Sequence, residues 1–137
     1  MTPHLTQQLF ERFDQLYRGR HLPLTQNLMS LGFQCGDGWF DLIYTLSEQI
    51  ERYGQTHPEA AAVMTVQVKQ KFGTLRFYVQ PKLPEIEALI TAAAQQSAQI
   101  CEVTGQAGVL CVNHGSYCTL SLTTAQELGF RPVEWNG

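Results

Sequence analysis

The chain has 137 residues, 44% of them hydrophobic and 15% charged, with a formal charge of −3 and an isoelectric point near 5.7. A chain of this length buries roughly 65–70% of its unfolded surface, so its core needs no disulfide or metal. Hydrophobic and charged fractions close to globular averages argue against disorder. Its mild acidity argues against broad nucleic-acid binding, which leaves a basic footprint, but allows a local basic patch.

No apolar run approaches the ~18 residues of a membrane span. Met1-Thr-Pro-His-Leu-Thr-Gln-Gln8 lacks the charged and apolar regions of a signal peptide. The expectation is one cytoplasmic domain over residues 1–137, with Cys35, Cys101, Cys111 and Cys118 reduced.

Thr2-Pro3 caps and opens a helix predicted to reach about Arg18, with Leu5, Leu9, Phe13, Leu16 and Tyr17 on one side. Gly19 to Pro23 breaks the chain, and Leu24 to Phe33 holds a short helical piece with Leu28, Met29 and Leu31 apolar. Gly36-Asp37-Gly38 reads as a turn. Trp39, Ile43, Leu46, Ile50 and Tyr53 then draw a helical stripe, ended by Gly54 to Pro58.

The period changes to two in the next segment. Met64, Val66 and Val68 alternate with Thr65, Gln67 and Lys69, while Leu75, Phe77 and Val79 alternate with Arg76 and Tyr78. Phe72-Gly73-Thr74 is the expected turn between these strands. Pro81 and Pro84 lead into a third helix over about 84 to 100, with Ile86, Leu89, Ile90, Ala93, Ser97 and Ile100 inward. Strands Val109–Val112 and Tyr117–Leu122 flank the turn Asn113-His-Gly-Ser116. Thr123 or Thr124 caps a final turn, Ala125 to Leu128, ended by Gly129, and in the tail Phe130 and Trp135 are expected to be covered. The fold class read from this order is α+β, with helices packed on a small antiparallel sheet and a C-terminal hairpin attached.

The 66–79 hairpin is the densest patch of recognition-type residues. Lys69 and Lys71 share a face of its first strand, and a turn at Phe72–Thr74 brings Arg76 and Tyr78 to the same side. Three cations and an aromatic can meet an acidic protein surface or a phosphate backbone. Against this stands the ordinary role of charged residues on the solvent face of a half-buried sheet. Asp37 among glycines resembles a loop acid available to a partner; without a second carboxylate it reads first as a turn-former.

The C-terminal segment invites a zinc reading, since Cys101-Glu-Val-Thr104 has the shape of a C-x-x-C knuckle followed by Cys111-Val-Asn-His114. A hydroxyl at Thr104 is a poor zinc ligand. Cys101, Cys111, His114 and Cys118 supply four ligands only in an irregular order, and cysteines that pack as small apolar residues are the alternative. Pairing Cys35 or Cys118 with His114 as a nucleophile lacks an orienting third group. No phosphate loop, dinucleotide fingerprint or nucleophile elbow is present, so no metal, cofactor or catalytic residue is assigned.

Cys35-Gly-Asp-Gly-Trp-Phe-Asp-Leu-Ile43, Val66-Gln-Val-Lys-Gln-Lys-Phe-Gly-Thr-Leu-Arg-Phe-Tyr-Val79 and Ile100-Cys-Glu-Val-Thr-Gly105, in that order, resemble a family of small bacterial and phage proteins of unassigned function. The resemblance covers residues 35 to 108. It implies a zinc-ribbon-like end built from Cys-Glu-x-Cys-Gly and a later Cys-x-x-His/Cys. Here Thr104 and Ser121-Leu-Thr-Thr124 stand at those positions. The loss implies that the family's zinc is structural, and that Val109, Leu110, Val112, Leu120 and Leu122 replace it with an apolar core. The resemblance carries no activity.

The leading expectation is a non-enzymatic protein-binding module, such as a toxin-neutralising immunity protein or a phage-type accessory or inhibitor protein. Its protein partner would meet Lys69, Lys71, Arg76, Tyr78 and Asp37. The alternative is a nucleic-acid-binding module derived from a zinc ribbon and using the basic hairpin face.

Overall fold

The computed structural model describes residues 1–134. Pro3 occupies the first position of helix α1, Pro3–Arg12, where its missing N–H costs nothing. Thr2 sits at the cap position but makes no side-chain cap bond. The helix is shorter than its apolar stripe suggests. Beyond Arg12 the chain continues as turns, and Phe13, Leu16 and Tyr17 still reach the core. Short 3₁₀ turns at Arg18–His21 and Met29–Leu31 follow. Met29 is buried, whereas Leu31 is exposed.

Strand β1, Phe33–Gln34, leads through a 3₁₀ turn at Asp37–Trp39 into helix α2, Phe40–Thr56. Strands β2, Met64–Lys71, and β3, Thr74–Gln80, form the first hairpin. Helix α3 spans Pro84–Ser97, β4 Val109–Asn113, β5 Ser116–Leu120, α4 Leu122–Leu128 and β6 Arg131–Pro132. Ser121, rather than Thr123 or Thr124, caps α4: its Oγ accepts from the Thr124 N–H, and the left-handed Gly129 ends the helix.

The strands form two sheets, ordered β1-β2-β3 and β5-β4-β6. β1 runs parallel to β2, and the remaining pairings are antiparallel. The fold is α+β. No helix among the described residues is long and apolar enough to cross a membrane. Trp135, expected to be covered, lies outside the described residues.

The expected alternation of β2 holds only in its second half. A bulge lies between Thr65 and Gln67. It turns Thr65 inward and leaves Val66 partly exposed, against the expectation from hydropathy. The outer edge of β2 at this point is paired by loop residues: Leu28 N–H donates to the Val66 carbonyl, and Asn27 Nδ2 donates to the Thr65 carbonyl. Those bonds hold the extra residue in place.

The main core joins α1, α2 and α3 to the inner face of β1-β2-β3. It centres on Trp39, Tyr17, Phe13, Ile43, Leu46, Val68, Leu75, Phe77 and Ile86, each contributing roughly 1.5–3 kcal/mol by leaving water. Tyr17 keeps its hydroxyl satisfied on Ser47 Oγ at 2.6 Å. A second, smaller cluster holds Cys101, Cys111, Leu120 and Ala125, with Cys118 and Phe130 partly buried against it. This corrects the expected replacement core. Val109, Leu110 and Leu122 are exposed, and of the five residues proposed only Leu120 is fully inside. Cys111 and Cys118 stand opposite each other on β4 and β5, and Cys101 joins them from the loop before β4. Together with Leu120 and Ala125 they fill the space, while Val109 and Leu122 lie at strand and helix ends.

Candidate functional site

The first hairpin closes through two residues, Phe72 and Gly73, both at positive φ (53° and 82°). That is the turn whose twist matches the strands it joins, and it normally uses Asn or Gly. Lys71 pairs with Thr74, Lys69 with Arg76 and Gln67 with Tyr78. With a side-chain period of two, Lys69, Lys71, Arg76 and Tyr78 therefore share the outer face. The expected three-residue turn at Phe72–Thr74 would have put Arg76 and Tyr78 on the opposite one, and it is Thr74, standing in β3 opposite Lys71, that brings them together.

On that face Lys69 Nζ lies 5.9 Å from the Tyr78 ring centre and Lys71 Nζ 5.6 Å from that of Phe72. Among the described residues the ion pairs are Arg12–Glu51 and Arg20–Asp14. The three hairpin cations belong to neither. Arg76 Nε is buried and makes no hydrogen bond among the described residues, although a guanidinium N–H shut away from water ordinarily has an acceptor.

Phe72 was missed as a site residue because it reads as part of a turn. It is 62% exposed, and its ring meets the Tyr117 ring at 6.2 Å from the second hairpin. The two hairpins touch tip to side: Thr119 Oγ1 donates to the Gly73 carbonyl at 2.7 Å. A Cβ on Gly73 would also approach Leu110 Cδ1 to 2.5 Å. The signal available in the sequence was a phenylalanine in a two-residue turn that favours Asn.

Asp37 stands apart from this face. Its Oδ1 accepts from the Thr2 N–H at 2.7 Å, which occupies it within the fold. The glycines around it serve close packing. Gly36 N–H donates to Glu102 Oε2 at 2.9 Å and Gly38 N–H to the Glu102 carbonyl at 2.7 Å. A side chain on Gly38 would overlap the Cys101 carbonyl. Trp39 Nε1 donates to the Ile100 carbonyl at 2.9 Å. The first and third sequence motifs thus form one hydrogen-bonded, partly buried junction.

At that junction Cys101, Thr104, Ser121 and Thr124 converge. Burial pushes the Cys101 thiol up, but hydrogen bonds from the Thr104 side chain and from the backbone of Ser121, Thr104 and Val103 outweigh it and bring it down to about 7. Ser121 Oγ donates to Thr124 Oγ1 at 2.9 Å. One thiol and three hydroxyls, bonded to each other and to backbone, do not fit a tetrahedral zinc ion. Among the described residues no group of three or more His, Cys, Asp or Glu side chains is arranged to hold a metal.

His114 sits at the exposed tip of the second hairpin at φ 48° and does not join the cysteines. Burial pushes Cys35 up to about 12, with Glu102 and Asp37 adding to the shift. Burial also raises Cys111 and Cys118. None of these thiols is activated as a nucleophile. Comparison with known protein families, curated proteins and solved structures returns no match.

Proposed function

We propose that this chain is a non-enzymatic protein-binding module, of the kind that neutralises a toxin or adapts a phage or bacterial partner, and that it meets an acidic surface of that partner with Lys69, Lys71, Arg76 and Tyr78. The observation that carries the reading is the convergence of Lys69, Lys71 and Arg76 on one hairpin face, none of them in an ion pair among the described residues. Partner carboxylates would pair with these cations in charge-assisted geometry. The exposed Phe72 and Tyr78 add apolar contact next to the charges.

A second reading has its own support. Cations flanked by Phe72 and Tyr78 also suit a single-stranded nucleic acid, with bases stacked on the rings. The overall charge of −3 disfavours it.

Affinity capture of the tagged protein at moderate salt, with and without nuclease, separates the two. The expected result is one stoichiometric protein retained by the native chain, insensitive to nuclease and lost from the double variant Lys69→Glu/Arg76→Glu. A partner retained equally by that variant contradicts the assignment of this face. Nuclease-sensitive material released by salt replaces it with the second reading.

A further inference from the structure

We infer that the free edge of β3 takes up an extended segment of the partner protein as an added strand, one that alternates apolar side chains with carboxylates; this rests on the protein-binding reading above. β3 is the last strand of its sheet. The two-residue turn makes Lys71–Thr74 the closing hydrogen-bonded pair, so bonded pairs recur at Lys69–Arg76 and Gln67–Tyr78. Leu75 and Phe77 then direct their N–H and C=O groups away from β2.

An unpaired edge is a template for another strand, and natural sheets cover or charge such edges. Here α3 covers only one end. Ser97 Oγ accepts from the Leu75 N–H at 2.9 Å. Beyond that bond, β3 and α3 stand around a groove of about 580 Å³, with Ile90, Ala94 and Ala98 on the helix side. Among the described residues no backbone hydrogen bond from outside the sheet reaches Phe77. Its peptide groups are the ones an added strand would engage.

The chemistry of the occupant follows from the two faces of β3. Residues of an added strand lying beside Arg76 and Tyr78 face the basic side; the alternate residues face Ile90 and Ala94. Arg76 and Lys82 border the groove against the single carboxylate of Glu87. The balance is cationic, and a carboxylate on the outward side chain of the added strand complements it. Main-chain bonds supply affinity in this mode, and alternate side chains supply specificity.

The test uses the full chain and a short capped peptide alternating valine and glutamate, followed by amide exchange and chemical shifts. The expected result is slowing of Phe77 amide exchange by at least about tenfold at saturating peptide. The protection disappears when alternate peptide nitrogens are methylated, when lysine replaces glutamate, and in an Ala94→Trp variant whose spectrum shows it folded. Shifts confined to Lys69, Lys71 and Tyr78, with Phe77 exchange unchanged, overturn strand addition while leaving the protein-binding reading intact. No perturbation at millimolar peptide also overturns strand addition. Perturbation of the same amides by oligothymidylate, but not by peptide, overturns both. Phe77 protection by the peptide, with partner capture unaffected by Lys69→Glu/Arg76→Glu, keeps the edge and removes the reading of the basic face.

Discussion

At the scale of single residues, two glycines separate close packing from mere helix membership. Gly38 lies against the Cys101 carbonyl, and an added Cβ would also come within 2.5 Å of the Gly105 nitrogen. Both are backbone atoms that cannot rotate aside. Gly38→Ala is therefore expected to destabilise the fold by about 1–3 kcal/mol. Gly54, inside α2, has only Ala60 Cβ near its own missing side chain, at 3.9 Å. Gly54→Ala is expected to stabilise by about 0.5–1 kcal/mol, because alanine loses less conformational freedom in a helix. Urea unfolding of both variants checks the pair, and a neutral Gly38→Ala would remove the packing argument.

Phe72 carries the opposite tension. A bulky residue at φ 53° is strained by about 1–2 kcal/mol relative to its extended form, yet its ring is mostly in solvent. Asparagine accepts that backbone readily. Phe72→Asn should leave stability unchanged or raise it by up to about 1 kcal/mol while weakening partner capture. Thermal unfolding beside a capture assay reads both effects. A large loss of stability would show that the Tyr117 contact is structural and that the strain has no link to binding.

At the scale of elements, the alternation of Leu75, Phe77 and Val79 was enough to place β3, the stripe on α2 was enough to place that helix, and both turns were readable from their glycines. The β2 bulge was not readable, because it depends on Asn27 and Leu28 reaching Thr65 and Val66 from a distant loop. Hydropathy alone put Val66 inside and Thr65 outside, and the tertiary bonds reversed them. The end of α1 was overrun for a related reason: apolar spacing continues through Leu16 and Tyr17, although the chain there is a series of turns. That Lys69 and Lys71 share a face of β2, and Arg76 and Tyr78 a face of β3, was legible from the local period; that the two faces coincide depends on a turn one residue shorter than the Phe72–Thr74 turn the sequence suggests. The groove beside β3 was not, since it arises from where α3 packs.

The 101–124 junction makes a stability prediction of its own. Cys101 titrates near 7 in the fold, against about 9 for an ordinary thiol. A depressed folded-state value contributes stability that is fully present above the unfolded value and lost as pH falls through the folded one. Stability should therefore rise between pH 7 and pH 9. Cys35 works in the other direction: raised to about 12, its contribution is full below pH 9 and is lost as pH rises from 9 to 12. The melting temperature is expected to peak near pH 9, and Cys101→Ala to abolish the rise below it. A profile of Cys101→Ala parallel to that of the native protein would contradict the hydrogen-bonded thiolate.

Across the whole molecule, charge is distributed unevenly. The chain is net acidic at −3, yet Lys69, Lys71 and Arg76 converge on one strand pair without ion-pair partners among the described residues. Their position is fixed on both sides: the main core packs beneath the hairpin, and the second hairpin is bonded to its tip through Thr119 and Gly73. A rigid basic face on an acidic body favours one orientation of approach for an acidic partner.

The most direct measurement is site-specific photo-crosslinking in the native host from a photoreactive residue at position 78, beside one at the exposed position 127 on α4. One protein crosslinked from position 78, absent from position 127 and lost when Lys69 and Arg76 are reversed to glutamate, is the expected result. The same products from both positions, or a product unaffected by the reversals, would contradict a specific partner-binding face on the first hairpin.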